Sequence, residues 1–150
     1  MEITVRQMGA ADRDLWARLR AALWPQETAE VHAQDVDAML GDASGFGFVA
    51  ELDDGAVGFA EITIRPFANG CDSRPVPFLE GIWVERHFRR RGIGARLVGA
   101  VEAFAAARGF REIGSDALLE NKVSHAAHRR WGFCETETVV HFRKLLIGPR

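Results

Sequence analysis

Ile3 and Val5 stand between polar neighbours, an alternation that predicts a short first strand. After Asp12 the period lengthens: Leu15, Trp16, Leu19 and Leu23 fall on neighbouring faces of a helix that Pro25 ends. A second helix is expected over about residues 27–40, carried by Val31, Val36, Met39 and Leu40, with Gly41 as its stop. Phe46 to Leu52 and Ala56 to Arg65 flank Asp53-Asp54-Gly55, the pattern of an antiparallel hairpin. Pro66 to Pro77 reads as a surface loop, and Phe78 to Val84 as a mostly buried strand. Ile93, Leu97, Val101 and Phe104 then recur at helical spacing up to Gly109. A fifth strand is expected over Glu112 to Ala117, then a short helix that Asn121 or Ser124 caps and Trp131-Gly132 closes. Thr136 to Leu145, rich in Thr, Val and Phe, predicts a last strand. The expected architecture is one α+β domain over residues 1–150, a mixed sheet behind two leading helices.

Composition narrows the function classes. With 47% hydrophobic residues in 150, the chain has material for one real core, which excludes disorder. Nineteen Lys and Arg against twenty-one Asp and Glu give a net charge of −2, so no global positive field draws nucleic acid or an anionic membrane. Cys71 and Cys134 lack any CxxC or Cys/His spacing and read as free thiols in a reducing cytoplasm. Met1 to Gln7 has no signal-peptide pattern, and no apolar window approaches the ~20 residues of a membrane span. His125 and His128 lie three apart on a helix without an identifiable third ligand, so no metal is expected. His32 and His87 read as surface residues, and His141 as part of the last strand.

The strongest local chemistry is Arg89-Arg90-Arg91-Gly92-Ile93-Gly94, between the Phe78–Val84 strand and the helix after it. Glycines there let backbone N–H groups converge, and a helix N-terminus adds partial positive charge, so the junction suits a phosphate. Ala95-Arg96 stands where a nucleotide-hydrolase loop needs Lys-Ser/Thr, and a dinucleotide loop would need a third glycine near Leu97. In this strand-to-helix setting, Arg89-x-x-Gly92-x-Gly94 resembles the pyrophosphate signature of the GCN5-related N-acetyltransferase superfamily. The later Asn121, Ala127-His128 and Gly132-Phe133 agree with it. Further fragments are similar to the chromosomal-type aminoglycoside 6'-N-acetyltransferases: Leu23-Trp24-Pro25, Asn69 to Ser73, Phe78 to Val84, Ser115-Asp116, Ser124-His125 and Glu135-Thr136-Glu137.

The resemblance implies a mixed, mostly antiparallel sheet whose two central parallel strands splay to admit acetyl-CoA. It implies that Ile82, Trp83 and Val84 offer backbone groups to the cofactor, that Arg89, Arg90, Arg91, Gly92, Ile93 and Gly94 hold its pyrophosphate, and that Asn121 and His128 lie beside it. Glu80, a carboxylate among apolar neighbours, is the leading catalytic residue; an ion pair with Arg65 or Arg74 is the plainer alternative. Asp116 is the second acidic contact to a polycationic amine, and Glu137 is a third, acting in its own chain or across a homodimer formed through the C-terminal strands. Trp24 and Phe67 are expected to flank the sugar rings, Phe67 standing where tyrosine is often found. His128 occupies the place of the superfamily's acid tyrosine, and this chain contains no tyrosine. The activity implied is acetyl transfer to a primary amine, foremost the 6'-amine of aminoglycosides. Alternatives are another small amine, a polyamine or a protein terminus as acceptor, or a coenzyme A-binding module without catalysis. Ser115, Asp116 and His128 form a hydrolase triad in composition only, because no Gly-x-Ser-x-Gly elbow surrounds Ser115.

Overall fold

In the computed structural model, which describes residues 2–147, five strands form one sheet in chain order. They are β1 (Ile3–Gln7), β2 (Gly45–Leu52), β3 (Gly55–Arg65), β4 (Val76–Val84) and β5 (Gly114–Ser115). Neighbours are antiparallel except β4 and β5, which are parallel. Four helices accompany them: α1 (Arg13–Leu23), α2 (Ala29–Asp42), α3 (Ile93–Ala107) and α4 (Lys122–Arg130). None is long and apolar enough to cross a membrane.

The near-continuous apolar run of β2 is explained by burial on both faces. Phe46, Phe48, Ala50 and Leu52 pack with Ile93, Leu97, Val98 and Val101 of α3. Val49 and, on β3, Phe59 turn the other way, onto Trp16 and Leu19 of α1 and Val36 and Met39 of α2. Each fully buried side chain of this size contributes about 1.5–3 kcal/mol by area. Gly47 makes the second layer possible, since a Cβ there would lie 2.8 Å from both Met8 and Trp16.

Local chemistry sets the boundaries. Thr28 starts α2, its Oγ1 accepting the Val31 N–H at 3.2 Å. The helix runs through Gly41 and ends where Ala43 turns left-handed at φ 54°, so Gly41 is not its stop. Asp53 and Asp54, at φ 49° and 67°, make the tight hairpin turn whose twist suits the flanking strands. The expected loop before β4 is shorter than read, because Val76 and Pro77 already pair with Arg65 and Ile64.

Three further expectations are corrected. The fifth strand is confined to Gly114–Ser115. Thr136 to Leu145, with His141, forms no strand: among the described residues no sheet edge is paired with it, and a strand without a ladder leaves its backbone to water. His32 is not at the surface but buried at 1% exposure, held by polar partners on α1 and at Trp24.

Candidate active site

The sheet forks beside β4. Its pairing with β5 stops at Phe78 with Gly114 and Leu79 with Ser115. From Glu80 to Val84 that edge of β4 has no strand beside it among the described residues, so peptide groups around Ile82, Trp83 and Val84 face a gap. A β-bulge coincides with the fork: Ile62 pairs with Leu79 and Glu61 with Gly81, leaving Glu80 as the extra residue. The bulge breaks the two-residue period and brings Glu80 and Gly81 to the same face, over α1.

At the far end of β4, Gly92 sits at φ 77°, and a Cβ added to it would meet nothing within 4 Å, so glycine is needed there for conformation and not for room. Gly94 is needed for room, because a Cβ would lie 2.9 Å from Trp131. The first helical bond of α3 runs from the Arg96 N–H to the Gly92 carbonyl at 3.1 Å. The amides of Ile93, Gly94 and Ala95 therefore point out of the helix start, where the macrodipole is worth about half a positive charge. Arg89, Arg90 and Arg91 are exposed around them, and Arg89 Nε donates to the Val84 carbonyl at 2.8 Å. This junction fits an anion of pyrophosphate type.

On the other side of the fork, Glu80 realises the ion-pair alternative. Its carboxylate accepts from Thr63 Oγ1 at 2.6 Å and from Arg65 Nε and Nη2 at 2.8 and 2.7 Å. The hydrogen bonds to Glu80 raise the pKa of Arg65, with a further contribution from the charge of Asp116. A carboxylate so engaged meets an ammonium as a positioned acceptor rather than as a free base.

Trp24 lies over Gly81, where a Cβ would come within 2.6 Å of its ring. A buried chain of polar groups holds it there. Glu61, 3% exposed, accepts from Trp16 Nε1 at 2.8 Å and from Arg20 Nη1 at 2.5 and 2.7 Å. Arg20 also reaches Asp35 at 2.7 Å, stacks 4.9 Å from the Trp24 ring and donates to His32 Nδ1 at 3.3 Å. His32 Nε2 lies 2.9 Å from the Trp24 carbonyl, which can only accept, so the imidazole is neutral with its proton on Nε2. His32 is buried because both ring nitrogens are satisfied inside.

Arg65, Asp116, His128 and Glu137 line one open cavity of about 870 Å³, together with Cys71 and Ser115. Glu80 joins it through Arg65. Thr136 and Glu137 run beside Gly70, so Glu137 borders the cavity of its own chain. Glu112 ties down the neighbouring loop by accepting the N–H groups of Asp72 and Ser73, which hold its carboxyl below the usual range. Phe67 stays outside the cavity, 61% exposed and 5.7 Å from the Arg74 guanidinium. Asn121 is occupied as the cap of α4, its Oδ1 accepting the Ser124 N–H at 3.1 Å. Sequence reasoning missed Thr63 as a partner of Glu80; its signal was the two-residue spacing to Arg65 on one strand.

The acetyltransferase (GNAT) family model matches residues 13–133. Aminoglycoside N(6')-acetyltransferase type 1 of Salmonella typhimurium is 42% identical over 141 residues, covering 93% of this chain and 97% of that protein. The enzyme of the same name from Stenotrophomonas maltophilia is 44% identical over 142 residues, covering 93% and 92%. Among solved structures, AAC(6')-Iy in complex with the bisubstrate analogue CoA-S-monomethyl-acetylneamine superposes with a TM-score of 0.91 at 40% identity, over 97% of this chain and 99% of that one. The aminoglycoside antibiotic 6'-N-acetyltransferase AAC(6')-Ih from Acinetobacter baumannii gives 0.88 at 37% identity, over 97% and 99%. With its forked sheet, its glycine-opened helix start and relatives at this level of identity, the chain belongs to the GNAT acetyltransferase family, beside the aminoglycoside 6'-N-acetyltransferases.

Proposed function

We propose that the protein transfers the acetyl group of acetyl-CoA to the 6'-amino group of aminoglycosides. The observation that carries this reading is the juxtaposition at the fork: an unpaired strand edge leading to an anion site on one side, and a cavity lined by acidic residues on the other. The bisubstrate analogue bound by AAC(6')-Iy joins the same two ligand classes in one molecule, which supports the assignment.

In this reading Ile82, Trp83 and Val84 pair with the pantetheine, while Arg89 to Gly94 hold the pyrophosphate. Asp116 and Glu137 attract the polycation, Glu80 orients the reacting nitrogen, and Trp24 walls the sugar. A primary amine with a pKa near ~10.4 is only about a thousandth free base at neutral pH, so deprotonation belongs inside the mechanism. The ammonium gives one proton to solvent through a water held at Glu80, the free amine then attacks the thioester carbonyl, and a peptide N–H on the open β4 edge stabilises the oxyanion. Thiol release from acetyl-CoA, measured with and without an aminoglycoside, tests the reading. Release that requires the amine supports an enzyme, whereas binding of acetyl-CoA with no release under either condition identifies a coenzyme A-binding module.

Gly92→Val is expected to weaken acetyl-CoA at least tenfold in calorimetry while circular dichroism stays native, because a β-branched residue resists the left-handed conformation on which the converging amides depend. Unchanged affinity in the folded variant removes the junction from the site.

The protein acts as a homodimer in this reading. Val139, Val140 and Phe142 are exposed, the last two at 75% and 92%, on a segment with β-forming composition and no strand partner in its own chain among the described residues. Light scattering should give about twice 16.6 kDa. A monomeric mass at micromolar concentration contradicts it. The cytoplasm is the proposed compartment, since acetyl-CoA and two free cysteines are both expected there; fractionation of the cell with antibody detection tests it.

A further inference from the structure

Ser115 and His128 meet where β4 and β5 part. His128 Nδ1 lies 2.7 Å from the Ser124 carbonyl, with Ser124 Oγ at 3.2 Å. A carbonyl only accepts, so the neutral ring carries its proton on Nδ1 and presents the Nε2 lone pair. Ser115 Oγ stands 2.7 Å from that lone pair and donates to it; the Leu79 carbonyl, at 3.4 Å, is the weaker alternative for the same proton. Carbonyl, imidazole and hydroxyl thus stand in the order that activates a hydroxyl, with a peptide oxygen in the place of a carboxylate. The imidazole is fixed between Trp131 and Phe133, whose ring centroids lie 5.3 and 5.2 Å away, and Gly94 lets Trp131 come close. Both Ser115 and His128 border the cavity that Asp116 lines. Glu80, by contrast, is already engaged by three donors.

We propose that Ser115 and His128 form a proton relay carrying the proton lost by the acceptor nitrogen to the departing thiolate. The proposal rests on the acetyl-transfer reading and adds a path to it. As the C–N bond forms, the nitrogen gives a proton to Ser115 Oγ while the serine's own proton passes to His128 Nε2, leaving an imidazolium and a neutral hydroxyl. When the C–S bond breaks, Nε2 returns its proton through Ser115 Oγ to the sulfur. The products are amide and thiol, and the pair is restored. His128 is in this way first acceptor and then donor, which gives it an acid's part that the neutral ring alone, protonated on Nδ1, cannot perform.

The test uses Ser115→Ala, His128→Asn and the double variant. The amide that His128→Asn introduces keeps a donor near the Ser124 carbonyl but offers no base to Ser115. Each single change is expected to lower kcat about 10²-fold, on the usual scale for a positioned proton-transfer group, with the acetyl-CoA Kd and acceptor KM within threefold of wild type. The double variant should be no slower than the slower single one, because a relay fails as a unit. Nitrogen-15 NMR of the substrate-free protein should place the His128 proton on Nδ1, a readout independent of catalysis and of any variant's folding. A wild-type kcat in folded Ser115→Ala, losses that multiply in the double variant, or a proton on Nε2 each overturns the relay. Acetylated Ser115 trapped with acetyl-CoA alone also overturns it, by making the serine a nucleophile. A wild-type protein that acetylates no aminoglycoside removes the function and the relay together, whereas an active wild type with an indifferent Ser115→Ala removes the relay alone.

Discussion

Arg20→Met is expected to destabilise the fold by about 3–5 kcal/mol, the usual cost of leaving a buried charge without its partner. Glu61 would keep only the Trp16 N–H among its present donors, in a setting 3% exposed. For a domain of this size the loss corresponds to a fall in Tm of roughly 10 °C or more. Replacing both partners by apolar residues, Arg20→Met with Glu61→Leu, should recover most of it, since the pair's attraction is largely spent on desolvation. The pH dependence has a definite sign. Burial pushes the Glu61 carboxyl above its usual range, opposed by the charge and hydrogen bonds of Arg20. A pKa higher in the folded state means that the group's contribution is fully present below the unfolded carboxylate pKa and is lost as pH rises through the folded value. Without Arg20 the upward push is opposed by the Trp16 N–H alone, so the variant should regain part of its deficit as pH falls from about 7 to about 5. Thermal melts across that range check this, and a penalty that is small or independent of pH contradicts it. Trp24 should loosen as well, because Arg20 and His32 hold it, and acceptor KM should rise before stability limits activity.

The second large effect concerns Glu80. Glu80, Asp116 and Arg65 together carry one net negative charge; Glu80→Gln makes them neutral and releases Arg65 as an unpaired cation beside the acceptor. Losing a charged partner of a buried ammonium costs about 2–5 kcal/mol, so kcat/KM for an aminoglycoside should fall by about 30-fold or more. Asp116→Asn should act mainly on acceptor KM and by a smaller factor, because Asp116 is exposed and solvent screens its charge. Acetyl-CoA affinity should be unchanged in both. A folded Glu80→Gln protein with wild-type kcat/KM removes Glu80 from the acceptor site.

Much of this fold is legible in the chain because its period is regular. The hairpin at Asp53-Asp54, the helix from Ile93 and the glycine junction follow from local rules that the tertiary structure leaves intact. What escaped depends on non-local partners. A bulge is invisible to a two-residue alternation, so Phe78, Glu80, Gly81 and Trp83 could not be assigned to faces until Ile62 and Glu61 gave the register. His32 stands four and seven residues before Val36 and Met39 on the buried stripe of α2, but a polar side chain reads as solvated until Arg20 and the Trp24 carbonyl supply partners for both ring nitrogens. Val139, Val140 and Phe142 have the composition of a strand, but composition supplies no partner edge. In the site, Glu80 stands out as a carboxylate among apolar neighbours, whereas Asp116 enters through the family resemblance. Ser115 and His128 are legible as a pair in composition only, because their contact joins β5 to α4 and depends on the Ser124 carbonyl to orient the ring.

The central claim is acetyl transfer to one particular amine. Two aminoglycosides that differ only in carrying an amine or a hydroxyl at the 6' position, each incubated with acetyl-CoA and the wild-type protein, test it most directly by mass spectrometry and NMR of the product. One acetyl group is expected on the 6' nitrogen of the first, and no amide product from the second. Acetylation of another nitrogen, equal turnover of the two compounds, or no turnover of the 6'-amine would contradict it.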